Sequence, residues 1–67
     1  MLGKIVHIHT FDDGNQRYSH YTNEWVIKEI KHTGSKLYLV NVHDKDINIP
    51  SISTWKVKEI DTDIILF

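Results

Sequence analysis

Sixty-seven residues without a cysteine make one domain, and a chain this short buries only roughly 60% of its unfolded surface with no disulfide to support it. Eight Lys and Arg against nine Asp and Glu give a formal charge of −1, which lacks the strong basic excess of a dedicated duplex binder. The longest apolar runs, Trp25-Val26-Ile27 and Ile64-Ile65-Leu66-Phe67, fall far short of the roughly 20 residues of a membrane helix, and with no secretory stretch after Met1-Leu2-Gly3-Lys4 the expected location is the cytoplasm.

Ile5 to Thr10 alternates, with Val6 and Ile8 on one side and Ile5, His7 and His9 on the other, the period of a half-buried strand. Asp12-Asp13-Gly14-Asn15 is a turn, because Gly and Asn tolerate positive φ, and Gln16 to Tyr21 follows as a hairpin arm or a long ordered loop. Thr22-Asn23 breaks the pattern. Glu24 to His32 is rich in β-branched and aromatic residues, and the tight-turn composition of His32 to Lys36 leads into Leu37 to Val42, so these segments form a hairpin. After a turn at His43 to Asp46 comes a short strand, Ile47 to Ile49. Pro50 is expected to stop ladder pairing before a Ser51 to Thr54 turn, and Trp55 to Ile60 resumes as a strand.

Trp25-Val26-Ile27-Lys28-Glu29-Ile30 and Trp55-Lys56-Val57-Lys58-Glu59-Ile60 echo one another, each with apolar residues at offsets 0, 2 and 5. A helix scatters these offsets around its circumference, and a flat strand puts the third on the opposite face from the first two. A strand with a bulge or bend before the last Ile reconciles them, so both segments are read as bent strands of a small closed barrel, with Trp25 and Trp55 as two core pillars.

The layout of a strand, a long polar loop, three strands joined by tight turns, a Pro-led turn and a closing strand resembles the Src-homology-3-like small β-barrel over residues 4 to 60. Ile49-Pro50-Ser51 is similar to the segment before that family's 3₁₀ turn, and Tyr18-Ser19-His20-Tyr21 lies in the region of its long first loop. The resemblance implies an all-β, five- to six-stranded barrel. It does not imply capture of Pro-rich peptides, because no acidic cluster follows the Tyr pair and no Tyr follows Pro50 at the family's distance. The rival fold is an oligonucleotide-binding barrel, which usually adds residues and a helix. Residues 1–61 are assigned to the barrel and 62–67 to an apolar tail or extra edge strand.

No phosphate loop, nucleophile elbow or zinc-protease helix is present, and the paired carboxylates Asp12/Asp13, Asp44/Asp46 and Asp61/Asp63 sit in turns, where they cap backbone groups. The chain is therefore read as non-enzymatic and without a cofactor. His7 and His9 share a strand face with Cα atoms about 6.5–7 Å apart. With His20, Asp12 or Asp13 they are the weak candidates for a metal site, and the solvated strand face is the preferred reading. Five histidines of ordinary pKa ~6.5 would carry the charge from −1 to +4 in acid.

Tyr18, His20, Tyr21 and Tyr38, with Trp25, offer more ring surface than so small a core encloses, and rings are good interface anchors. These four residues are the expected partner-binding set. Ile64, Ile65, Leu66 and Phe67 are costly to leave in water and are expected either on the chain's own first strand or at the edge of another subunit in a homo-oligomer. The expected function is that of a protein-binding module, such as a small bacterial or phage regulator or inhibitor. The alternative is a single-stranded nucleic-acid binder using rings and lysines.

Overall fold

The computed structural model describes residues 2–12 and 14–60. Five strands, β1 (Ile5–Ile8), β2 (Trp25–Lys31), β3 (Lys36–Asn41), β4 (Asn48–Ser53) and β5 (Val57–Glu59), form one antiparallel sheet in the order β4-β3-β2-β1-β5. Three short 3₁₀ turns, Gln16–His20, His32–Gly34 and Thr54–Lys56, interrupt them. The segment from Gln16 is thus a turn within a long loop and not a hairpin arm. No helix among the described residues is long and apolar enough to cross a membrane.

Strand alternation sorts the apolar residues onto two faces. Val6, Ile8, Trp25, Ile27, Leu37, Leu39, Ile49 and Ile52 form the main core, with Phe11, Tyr18, Ile47 and Val57 packed at its margins. On the other face Ile5, Val26 and Val40 make a smaller cluster, covered by Tyr38, Val42 and Ile60. The Cα radius of gyration of 10.6 Å matches the roughly 11 Å of a compact chain this long.

Two bulges allow the apolar spacing of the sequence to fit this core. In the β2–β3 ladder Ile27 pairs with Leu39 and Glu29 with Tyr38, so Lys28 is an extra residue. The insertion returns Ile30 to the face of Trp25 and Ile27, opposite Leu37, and so satisfies the offsets 0, 2 and 5 within one strand. In the β3–β4 ladder Leu37 pairs with Ile52 and Leu39 with Ile49, which leaves three steps on β4 against two on β3. Ile49 and Ile52 therefore both enter the core, while Pro50 and Ser51 stay exposed between them. Pro50 does not end the pairing as its chemistry led one to expect. It sits at a bulge of an edge strand, where no N–H is needed, and its carbonyl accepts a bond from Lys31 Nζ at 3.2 Å.

The echo fails in its second copy. Trp55 and Lys56 belong to a 3₁₀ turn, Trp55 is 64% exposed, and only Val57–Glu59 is strand. The turn is held from far away in sequence: Thr54 N donates to Ser35 O at 3.0 Å, and Thr54 Oγ1 donates to Gly34 O. Trp55 is therefore no core pillar, and Trp25, fully buried, is the single one.

Asn23 closes the end of the β1–β2 ladder. Ile5 faces Val26 and Val6 faces Trp25, a register that, carried on, sets Ile8 opposite Asn23. There the side-chain amide takes the role of a strand backbone: Oδ1 accepts from Ile8 N at 2.9 Å, and Nδ2 donates to Ile8 O at 2.9 Å. The same Oδ1 accepts the Trp25 indole N–H at 3.2 Å. Asn41, which is buried, ties the neighbouring loop, donating to Thr22 O at 2.8 Å and accepting from His43 N and Asp44 N.

The β2–β3 turn carries strain. His32 and Thr33 adopt φ of 51° and 54°, a left-handed conformation that is unfavourable for a β-branched residue, and Gly34 follows at 95°. His32 O compensates by accepting from Ser35 N, Ser35 Oγ and Thr33 Oγ1.

Two stability predictions follow from these contacts. Asn23→Ala leaves both polar groups of Ile8 and the Trp25 indole without their partner and is expected to lower stability by about 2–3 kcal/mol in urea unfolding; a loss below about 0.5 kcal/mol contradicts the bridging role. Thr33→Gly, which accepts the left-handed φ, is expected to raise stability by about 0.5–1 kcal/mol, and an unchanged or lower urea midpoint contradicts stored strain at that position.

Candidate functional site

The long loop from His9 to Thr22 and the Thr54–Lys56 turn meet on one side of the sheet. Lys56 joins them, its Nζ lying 2.7 Å from Asp12 Oδ1 with most of the Lys side chain covered. Main-chain bonding continues the link, since His9 N donates to Lys56 O at 2.9 Å. The same ammonium stands 5.5 Å from the centre of the Trp55 ring, a cation–π distance. Trp55 is thus held beside the loop while most of its ring remains in water.

From Asp12 the loop is built of successive tight turns. Asn15 N donates to Asp12 O, Tyr18 N to Asn15 O and Tyr21 N to Tyr18 O. This winding sends alternate rings inward and outward. Tyr18 is half-buried and meets Trp25 edge to face, with ring centres 5.9 Å apart and planes at 88°. Arg17 lies over the Tyr18 ring at 4.9 Å and donates to its hydroxyl at 2.9 Å. Tyr21 is 41% exposed, and His20 is exposed beside it. Asn15 is buried, and among the described residues its Oδ1 has no hydrogen-bond partner, although its Nδ2 donates to Thr10 O at 3.3 Å. An acceptor so placed is an uncommon feature in a native interior.

Of the residues expected to contact a partner, Tyr18, His20 and Tyr21 lie together on this loop. Tyr38 lies apart, packed on the smaller cluster on the other face of the sheet, with Lys31 Nζ 5.7 Å from its ring. Trp55 takes its place in the exposed set. Sequence reasoning missed it because its echo of Trp25 pointed inward; the available signal was its position directly after the Ser51 to Thr54 turn formers.

His7 is half-buried on β1, and His9 is exposed just beyond the strand with Nδ1 3.0 Å from Thr10 Oγ1. Among the described residues no three His, Asp or Glu side chains stand close enough to hold a metal ion. Asp12 is engaged by Lys56, and Asp13 lies outside the described residues, as do Ile64, Ile65, Leu66 and Phe67.

Comparison of the chain with protein-family models, with curated proteins and with solved structures finds no match in any of the three.

The two tryptophans are expected to respond in opposite ways to substitution. Trp55→Ala should change stability by less than about 0.5 kcal/mol, because little of the ring is enclosed. Trp25→Ala removes about 3–5 kcal/mol, comparable to all that so small a core supplies, and should leave the chain unfolded by circular dichroism. Equal losses at the two positions would contradict the assignment of one ring to the core and one to the surface.

Proposed function

We propose that this chain is a non-enzymatic protein-binding module on a Src-homology-3-like small barrel, engaging its partner through Trp55, Tyr21, His20 and the outer edge of Tyr18. The observation that carries this reading is Trp55, a ring 64% exposed yet held in place by the Lys56 ammonium and the turn beneath it. A large aromatic side chain fixed before binding loses little conformational freedom when a partner covers it, which is what makes Trp and Tyr effective anchors. The Lys56–Asp12 contact supports the reading further, since it attaches the tyrosine-bearing loop to the turn that presents Trp55.

The barrel is favoured by the strand order β4-β3-β2-β1-β5, by β1 pairing with both β2 and β5, and by a 3₁₀ turn joining β4 to β5. The bulge at Lys28 gives β2 the bend such a barrel requires where one strand serves both halves. A small regulator or inhibitor fits a surface of this kind, which presents rings and mixed charge together.

The test is capture from a native bacterial lysate on the immobilised chain, with Trp55→Ala and Tyr21→Ala as paired controls, followed by titration of the purified captured protein. One protein retained by the parent chain, with its Kd weakened at least tenfold by Trp55→Ala and changed little between 50 and 200 mM salt, is the expected result. Binding to single-stranded oligonucleotides that collapses over that salt range and is lost with the same substitutions would instead establish the nucleic-acid alternative.

A further inference from the structure

On the inner face of the sheet lies a groove of about 280 Å³. Its floor is apolar, formed by Val6, Ile27 and Leu37, each buried in the main core. Ile30 and Val57 form its lip, and Ile30 is 44% exposed there although the Lys28 bulge turns it to the core face. The volume falls just below the roughly 300–1,000 Å³ of sites for drug-sized molecules, which suits one short chain or a single ring.

Gly34, Thr54 and Glu59 complete the lining. The polar groups of the first two are already engaged, because Thr54 Oγ1 donates to Gly34 O and Thr54 N to Ser35 O. Glu59 differs from them. It stands opposite Val6 in the β1–β5 ladder, and residues directly opposite share a face, so its carboxylate is directed to the core side of the sheet while Lys58, opposite His7, points to the other. Glu59 is the one charged residue in the lining, and among the described residues its carboxylate has no ion pair or hydrogen bond. An exposed carboxylate is satisfied by water, so the position costs the fold little. Its effect is to give the mouth of an apolar groove a negative charge.

We infer that the groove binds a small amphiphilic cation, an alkyl or aryl amine whose carbon skeleton lies against Val6, Ile27 and Leu37 and whose ammonium meets the Glu59 carboxylate at the mouth. Enclosing the skeleton removes apolar surface from water on both sides of the contact. The ammonium stays at the rim, where it keeps part of its hydration and avoids the cost of a buried charge. Low-dielectric walls strengthen its attraction to Glu59 relative to an open surface, whereas an anionic group on the same skeleton is repelled. Thr54 belongs both to this lining and to the turn that presents Trp55, so the groove adjoins the proposed partner surface. The binding does not require a protein partner, and it is tested with the small molecule alone.

The probe is n-hexylammonium, titrated into the isotope-labelled 67-residue chain with n-hexanol and hexanoate as its neutral and anionic counterparts. Saturable shifts of the Val6, Ile27, Leu37 and Val57 methyl resonances are expected, with hexylammonium binding about threefold to fivefold more tightly than hexanol, and hexanoate most weakly. Glu59→Gln should remove the preference for the cation and leave the affinity for hexanol unchanged. Ile30→Ala, which shortens the lip, should weaken both. The absence of saturable shifts, equal affinities for the three probes, or a cation preference that survives Glu59→Gln would overturn the inference. Nuclear Overhauser contacts from the Ile30 and Val57 methyls to a second molecule, in a mixed labelled and unlabelled sample without probe, would assign the groove to a second copy and overturn it as well.

Discussion

The amide of Asn23 stands where the β1–β2 ladder would otherwise continue, and the arrangement of the molecule depends on it. An Asn side chain carries the same donor and acceptor pair as a peptide group. It can therefore complete the ladder opposite Ile8 while its own backbone bends away. The strand pairing is extended by two positions, from Val6–Trp25 to Ile8–Asn23, without requiring residues 9 to 22 to lie in the sheet, and that long loop is released to the surface from a fixed point. Because the same oxygen holds the Trp25 indole, the departure point of the loop and the centre of the core are set by one side chain.

Trp25 then relates the core to the surface. Its ring is fully buried in the main cluster, and Tyr18 from the loop closes over it edge to face. The loop is thereby held at Asn23 near its end, at Tyr18 in its middle and at Asp12 near its start, where Lys56 engages it. A segment held at three points presents the intervening side chains in a nearly constant geometry. Pre-ordering of this kind lowers the ordering cost of the partner contact proposed for this loop.

Much of the sheet is legible in the sequence because the signals are local. The spacing of Trp25, Ile27 and Ile30 demands an extra residue in the strand, and the ladder has one at Lys28. The β2–β3 hairpin follows from β-branched runs around a Thr-Gly-Ser turn. Pro50 shows the limit of such reasoning. The ring forbids an N–H bond, yet an edge bulge needs none there, and whether a strand lies at an edge is decided by the whole topology. Trp55 was illegible for a similar reason. Its flanking residues repeat those of Trp25, but its turn is held by Ser35 and Gly34, about twenty residues away. Of the candidate site, the tyrosine loop could be read from composition alone, whereas its attachment to Lys56 spans 44 positions and has no local signature.

The central claim, that one ring is locked in the core by Asn23 while the other is held at the surface, is tested most directly by hydrogen exchange at the two indole nitrogens, followed by nuclear magnetic resonance. The account predicts that the Trp25 indole proton exchanges only as the whole domain unfolds, and that the Trp55 proton exchanges near the rate of an unstructured peptide. Rapid exchange at both indoles, or strong protection of Trp55 with an unprotected Trp25, would contradict it.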